Sequence, residues 1–495
     1  MKAISIAVVL LLLLSLMPFP ANVAEDTASS PTPTFLPSEE VLLSGIPYVW
    51  QEINGFCAWA ATSVAMQAAG ADLDLYDVFA ASTIGFSFAY IHYNDTILMY
   101  PGAIYTQAEP TDFISDQYGI NYTIYLLESI DSAEQIKQVW ESEGINVGLL
   151  GGQEDAFNLM RSTINHGLPL LISVDPSWLP AEDYNFLREQ GATGGAHGVL
   201  IVGYDDNLGI ARIIDPGVGS FGDSFGFPED GRGNYSEITY TALINAWANR
   251  FYISSTFAPS TSPPSNAQDR LGIMVRDKLL GVGTTYSPSS SSAYLWSYGE
   301  RGFRQLSEDI TVEGLTQYFS VFDGIQNERL FKAAVLLFIG LGIETTITLQ
   351  YLSYRNALVK LPDLLSDYDL DEFSEAAGDA LPHLDALSNN MTLIYPGNLS
   401  YIEGLASSVF QSISQLYNST GDLETALQAH SIELNEISAH FLAIADSWQA
   451  AGNALAIYWP NDIFTLYGVW IAIGVFGVAV LVIYVVIQIK RTPSQ

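Results

Sequence analysis

The chain contains one cysteine, Cys57, in a setting that could make it a nucleophile. Cys57 opens the small-residue run from Ala58 to Ala69, which has no Pro or Gly and therefore favours a helix. A thiol at a helix N-terminus feels the positive end of the helix dipole, which lowers its pKa. The alternative is a buried structural cysteine that packs as a small apolar residue. This stretch alone does not separate the two interpretations.

His197 and Asp215 flank a predicted β-hairpin. Val199 to Val202 and Ile210 to Ile214 are short, β-rich apolar runs separated by turn residues around Asp206. Folding the hairpin about Asp206 places His197 opposite Asp215. A carboxylate beside a histidine orients the ring and stabilises its protonated form. A histidine held in this way can act as the general base for a thiol. Each residue alone fits a turn equally well, but together with the lone cysteine they favour a thiol site.

Gln51 precedes the cysteine on the same segment and could complete this site. Its side-chain amide can donate to the oxygen that becomes negative when a thiolate attacks a carbonyl, and the backbone N–H of Cys57 is a second donor. Taken alone, Gln51 would be a surface glutamine. His92 and His166 compete with His197, but no hairpin places an acid beside either of them.

These motifs, in this order and spacing, resemble papain-like cysteine peptidases. The closest branch is typified by peptidases that cut bacteriocin leaders after a double glycine. The resemblance covers residues 45–256. Its motifs are Ile46-Pro-Tyr-Val-Trp-Gln51, Cys57 with the following helix, Gly167-Leu-Pro-Leu-Leu-Ile-Ser-Val174, Gly195-Ala-His197-Gly-Val-Leu-Ile-Val-Gly-Tyr204 and Ile213-Ile-Asp215-Pro216.

The resemblance implies an α+β fold and a peptide or protein substrate. It assigns the nucleophile to Cys57, the base to His197, the orienting acid to Asp215 and the oxyanion-hole amide to Gln51, with no metal or organic cofactor. Two departures stand out. Residues 86–110 look like a large aromatic-rich insertion, and no Gly-x4-Gly-Lys-Ser/Thr motif is present, so a bacteriocin-exporter role is not implied.

Composition narrows the class of protein. The chain has 54 acidic and 18 basic side chains and a formal net charge of −36, which argues against nucleic acid as a partner. Charged residues make up only 15% of the chain, which is typical of a folded protein rather than a disordered acidic segment. A lone cysteine excludes an intramolecular disulfide and the usual cysteine-based zinc sites.

Both ends of the sequence predict a single-pass membrane protein. Residues 1–24 have the pattern of a signal peptide, and 25–44 form a Ser/Thr/Pro-rich tether. Residues 466–489 are uncharged and long enough to cross a bilayer. The basic tail 490–495 then lies in the cytoplasm, so most of the chain is predicted to be extracellular.

The chain between the ends divides into three parts. A linker at 257–268 separates the predicted peptidase domain from a mainly helical stalk or bundle at 269–465. The apolar run Ala333 to Ile343 is too short to span a membrane and predicts a buried helix. N-glycans are possible at six Asn-x-Ser/Thr sequons, namely Asn94, Asn121, Asn234, Asn390, Asn398 and Asn418.

The sequence therefore predicts a membrane-anchored extracellular cysteine peptidase, a hydrolase. Two alternatives stay open. The same residues could serve an acyltransferase or amidase, because a fold does not fix the reaction. The chain could also be a non-catalytic cell-surface binding protein, although such a module has no need of a free thiol.

Overall fold

The computed structural model describes residues 40–459 except 94–109, 131–132, 143, 190, 192–194, 260–261, 283–284, 290–291 and 396–403. These residues form two compact units. The first unit comprises 40–75 and 118–263, and the second comprises 76–117 together with the chain from 264 onward. The predicted signal peptide, most of the tether, the membrane helix, the tail and the sequons at Asn94 and Asn398 lie outside the described residues.

The strands, in chain order, are β1 Glu40–Leu42, β2 Ala89–Tyr93, β3 Ile120–Leu127, β4 Asn146–Leu150, β5 Leu170–Val174, β6 His197–Asp205, β7 Ile210–Ile214, β8 Ser236–Thr239, β9 Ser254–Pro259, β10 Thr285–Ser289 and β11 Ser292–Tyr298.

The helices are α1 Cys57–Ala68, α2 Leu75–Ala81, α3 Pro110–Gln117, α4 Ala133–Ser142, α5 Gln153–Asn165, α6 Asn185–Glu189, α7 Tyr240–Ala248, α8 Ala267–Leu279, α9 Gly299–Asp309, α10 Val312–Ser320, α11 Glu328–Leu364, α12 Asp371–Gly378, α13 Leu381–Leu387, α14 Asn390–Ile394, α15 Leu405–Thr420, α16 Leu423–Ala429 and α17 Ser431–Leu455.

The first unit is an α+β structure around one sheet. The strand order is β4-β3-β9-β5-β6-β7-β8, and β1 pairs with the far end of β6. The β3–β4 pair is parallel, and the other pairs are antiparallel. Strand β9 runs to Pro259 and α8 begins at Ala267, so the predicted linker 257–268 begins inside a strand of the sheet and ends inside a helix.

Strand β6 is buried along most of its length because helices cover both faces of the sheet. Val199 and Ile201 pack on one face with Met160 and Ile164 of α5, which lie one helical turn apart on the apolar side of that helix. On the other face α1 approaches β6 at Gly198. A strand that is buried on both faces usually has a continuous run of apolar residues, as β6 has.

The hairpin β6–β7 forms where it was predicted, but its register differs. Leu200 pairs with Ile214 and Ile201 with Ile213, whereas Gly203 pairs with Arg212 after a bulge. Continuing the first of these registers puts Asp215 opposite Val199, so the predicted pairing of His197 with Asp215 was wrong by two residues. The turn is longer than expected because Oδ1 of Asp205 accepts hydrogen bonds from two following backbone N–H groups.

The second unit contains the segment that looked like an insertion. Strand β2 joins β10 and β11 in a three-stranded sheet with the order β10-β11-β2. The carbonyl of Gly85 accepts a 2.7 Å hydrogen bond from Nε2 of Gln350 on α11, and Lys360 forms a 3.2 Å ion pair with Asp77. Residues 76–93 and 110–117 therefore fold with the mainly helical unit, although they lie inside the predicted peptidase domain 45–256.

Helix α11 contains the apolar run Ala333 to Ile343. It is the one helix among the described residues that is long and apolar enough to cross a membrane, and 56% of its most apolar window is buried within the protein. Glu344 follows the run and is fully buried. Its carboxylate accepts hydrogen bonds from the backbone N–H of Ser407, in the first turn of α15, and from Nδ2 of Asn389. A buried carboxylate at a helix N-terminus is stabilised by the helix dipole.

Candidate active site

Cys57 is the first residue of α1 and is partly exposed. The preceding residue, Phe56, gives the helix no side-chain cap, so the N–H groups of the first turn are not occupied by a capping side chain. Backbone N–H groups of Ala58 and Gly198 donate hydrogen bonds to the sulfur. The cysteine therefore lies at the positive end of the helix, as the sequence predicted.

Gly198 permits the close approach of β6 to this helix start. A Cβ atom at position 198 would lie 3.1 Å from Cα and 3.3 Å from the backbone nitrogen of Ala58, both tighter than ordinary van der Waals contact. A glycine at this position lets a strand and a helix meet without displacing either. As a consequence His197, the residue before it, reaches Cys57 and forms a side-chain hydrogen bond with it.

His197 also contacts Asp215, although the two residues are not directly opposite in the hairpin. Nε2 of His197 lies 2.7 Å from Oδ1 of Asp215, and both side chains are buried. In the observed register Asp215 is the diagonal neighbour of His197 on the same face of the sheet, a distance that an imidazole can bridge. The Nε2 atom faces Asp215, so Nδ1 is the nitrogen available to the thiol.

Tyr184 is a further member of this site, and no pattern in the sequence indicated it. Its hydroxyl lies 3.0 Å from both carboxylate oxygens of Asp215 and 3.1 Å from Nε2 of His197. Burial and the charge of Asp215 raise the pKa of Tyr184 well above its ordinary value, so the hydroxyl stays protonated and donates to the carboxylate. Tyr184 comes from the short 3₁₀ turn Glu182–Tyr184, whose sequence shows no pattern that would predict this role.

The environment moves the pKa values of the thiol and the imidazole in opposite directions. Burial alone would raise the pKa of Cys57, but the charge and hydrogen bond of His197, with the two backbone N–H groups, bring it below its ordinary value. Burial alone would lower the pKa of His197, but Asp215 and Cys57 raise it to about 10. The arrangement therefore favours a thiolate paired with an imidazolium.

Gln51 is 1% exposed, which contradicts the simple interpretation of a surface glutamine. Its backbone N–H donates a 3.1 Å hydrogen bond to the carbonyl of Pro216, the residue after Asp215. Its side-chain Oε1 is buried and has no hydrogen-bond partner among the described residues. A buried amide with an unsatisfied end is costly and points to a bound group or water as its partner.

The competing histidines lie in different settings. His166 is exposed after α5, and its Nδ1 lies 2.6 Å from the carbonyl of Ser162. His92 belongs to β2 in the second unit. In the part of the chain that the structure describes, no group of three or more His, Cys, Asp or Glu residues could hold a metal ion.

Residues 43–225 are similar to the family described as Peptidase_C39 like family. This match includes Gln51, Cys57, His197 and Asp215, and it supports a papain-like cysteine peptidase domain with a cysteine peptidase-like function. No curated protein gives a significant match to the chain. The double-glycine branch is a finer assignment than this family match supports.

We expect Cys57 to react with iodoacetamide as a thiolate well below the pH at which a free thiol ionises, about 8.5. His197→Ala removes the imidazolium charge that opposes the effect of burial on the pKa of Cys57, so the inflection of the alkylation rate should move upward by about 1–3 pH units. The measurement is the alkylation rate across pH for the full chain. Cys57→Ala gives the background and His166→Ala serves as a matched histidine control. Slow labelling at neutral pH that His197→Ala leaves unchanged would contradict an activated thiolate.

Gly217→Ala should disturb the imidazole without removing any functional group. A Cβ atom there would lie 2.6 Å from Cε1 of His197 and 2.7 Å from the Tyr184 hydroxyl, so the ring must move. We expect alkylation of Cys57 at mildly acidic pH to slow by about 10- to 100-fold. Gly195→Ala is the control, because its Cβ would meet only Pro176, at an ordinary 3.4 Å. Equal rates in the two variants would show that Gly217 is not needed to position His197.

Proposed function

We propose that the chain is a membrane-anchored extracellular cysteine peptidase whose chemistry is carried by Cys57, His197, Asp215 and Gln51. The observation that carries the proposal is the position of His197 between Asp215, at 2.7 Å, and the Cys57 thiol at a helix N-terminus. The similarity of residues 43–225 to a peptidase family supports the same reaction class.

In the first half of the reaction, the Cys57 thiolate attacks the carbonyl carbon of a peptide bond. The carbonyl oxygen becomes negative and accepts hydrogen bonds from the Gln51 side-chain amide and from the backbone N–H of Cys57. The tetrahedral intermediate collapses when the imidazolium of His197 gives its proton to the leaving amine. The products of this half are a free amine and a Cys57 thioester.

In the second half, neutral His197 removes a proton from water, and the resulting hydroxide attacks the thioester carbonyl. The carbon–sulfur bond breaks, the carboxylic acid leaves, and the thiolate–imidazolium pair is restored. Asp215 stabilises the imidazolium in both halves, and Tyr184 donates to Asp215 and holds its orientation. None of these steps needs a metal or an organic cofactor.

The substrate in this proposal is a peptide or protein. The resemblance to the double-glycine branch makes peptides with two glycines before the cleaved bond the first substrates to test. The reaction products would distinguish the two alternatives from a peptidase. An acyltransferase transfers the acyl group to an amine, and an amidase releases ammonia from a side chain, whereas a peptidase hydrolyses the chain.

We expect Gln51→Ala to lower kcat/KM for a cleaved peptide by about 100- to 1000-fold, because one donor to the oxyanion is lost. A peptide library that includes double-glycine sequences supplies the substrate, and Cys57→Ala must abolish turnover. Alkylation by iodoacetamide forms no oxyanion, so it should proceed at the wild-type rate in Gln51→Ala and shows that the variant is folded. Equal losses in both reactions would contradict an oxyanion role, and turnover by Cys57→Ala would contradict the peptidase proposal.

The membrane anchor and the extracellular location rest on the sequence of the two ends and on the sequons. Four sequon asparagines lie within the described residues, at Asn121, Asn234, Asn390 and Asn418, and all four are exposed. Exposure is required for N-glycosylation of a folded chain.

The single cysteine provides a direct test of this topology. A membrane-impermeant maleimide added to intact cells should label the wild-type chain at Cys57 and leave Cys57→Ala unlabelled, since no other thiol is present. A chain that ends at 465 should be labelled in the medium rather than on the cell. Labelling that requires cell lysis would overturn the extracellular location.

A further inference from the structure

Four aromatic side chains of the first unit form a partly exposed cluster, here called the aromatic shelf. Its members are Tyr48, Trp50, Phe225 and Phe227. Ring centroids of Trp50 lie 5.9 Å from Phe225 and 6.1 Å from Phe227, and Tyr48 lies 6.0 Å from Phe227. Phe225 is 43% exposed and Phe227 is 50% exposed. A cluster of large aromatic side chains that are about half exposed to solvent is typical of a ligand-binding surface.

The shelf is built on the same two segments that carry Gln51 and Asp215. Trp50 directly precedes Gln51, and the hydroxyl of Tyr48 donates a 3.2 Å hydrogen bond to the backbone carbonyl of Asp215. Phe225 and Phe227 lie on the loop that follows Asp215. The hydrogen bond from Tyr48 thus attaches the shelf on the side of Asp215.

The loop of Phe225 and Phe227 is held in place by polar contacts to the buried side chain of Asp183. Oδ1 of Asp183 accepts hydrogen bonds from the backbone N–H of Gly219, at 3.0 Å, and from the Ser224 hydroxyl, at 2.7 Å. Its Oδ2 pairs with Arg232 at 2.9 Å. The backbone N–H of Gly226 donates to the carbonyl of Gly219 at 2.8 Å. The two phenylalanines are thus presented by a fixed loop, which reduces the ordering cost of binding.

The chemistry of the proposed reaction decides which part of a substrate meets the shelf. The leaving amine must lie beside His197 to receive its proton, so the residues after the cleaved bond run along the His197–Asp215 side. The shelf lies on that side.

We infer that the aromatic shelf binds an apolar side chain of the leaving group, directly after the cleaved bond. This inference rests on the proposed peptidase function and names a substrate preference for it. Burial of an apolar side chain against the rings of Phe225 and Phe227 favours that leaving group, whereas glycine at the same position leaves the rings exposed.

Interception of the acyl-enzyme by amines tests the shelf without a known substrate. The p-nitrophenyl ester of benzyloxycarbonyl-glycine acylates Cys57 and releases p-nitrophenol. An added amine then attacks the thioester; the new carbon–nitrogen bond replaces the carbon–sulfur bond, and the amine proton passes to His197, which restores the thiolate–imidazolium pair. By microscopic reversibility this amine occupies the leaving-group position. The measured quantity is the ratio of amide product to acid product.

For the wild type we expect phenylalaninamide to intercept the acyl-enzyme about tenfold more efficiently than glycinamide. The double variant F225A/F227A should reduce this preference to about twofold or less. The amplitude of its p-nitrophenol burst, which counts the acylated Cys57, should stay at the wild-type level. Leu208→Ala is the matched control, because Leu208 is an exposed apolar residue in the turn at the other end of the β6–β7 hairpin. It should retain the wild-type ratio.

The possible outcomes distinguish a failure of the shelf inference from a failure of the peptidase proposal. A Cys57-dependent burst with equal interception by the two amines, or with a preference that F225A/F227A leaves intact, overturns the shelf and leaves the peptidase proposal standing. A burst that is absent, or that Cys57→Ala also gives, overturns the peptidase proposal and the shelf with it.

Discussion

The buried contact between His197 and Asp215 is the interaction on which the rest of the site depends. A carboxylate taken out of water is costly unless hydrogen bonds and an opposite charge compensate for it. Asp215 has both, because the backbone N–H of Gly217 and the hydroxyl of Tyr184 donate to it and the imidazole lies 2.7 Å away. With the carboxylate fully compensated, its charge keeps the imidazole protonated, and the imidazolium in turn favours the Cys57 thiolate.

The backbone around this pair brings distant segments of the chain together. The segment of Gln51 is attached to Pro216 by a main-chain hydrogen bond, and Gly198 lets β6 meet the start of α1. Both attachments run through the main chain, so neither uses the side-chain amide of Gln51 or the imidazole of His197.

The wrong hairpin register and the correct residue pair are explained by the same geometry. Side chains alternate between the two faces of a strand, so the error of two residues at the open end of the hairpin keeps His197 and Asp215 on the same face, whereas an error of one would have put them on opposite faces. His197 and Asp215 are therefore neighbours on one face in the predicted register and in the observed one. The bulge after Ile201 and the turn stabilised by Asp205 changed the register, and neither feature has a periodic signal in the sequence.

The sequence by itself determined the features that depend on local order: the helix that starts at Cys57, the strands on both sides of the hairpin turn, and the residue types of a thiol site. The tertiary structure alone decided the contacts between residues far apart in the chain. Tyr184 reaches Asp215 from a turn without a recognisable pattern, and Phe225 and Phe227 join the segment of Gln51. Residues 76–93 and 110–117 fold with the second unit. Such contacts follow from packing and burial, and the periodicity of a single segment carries no information about them.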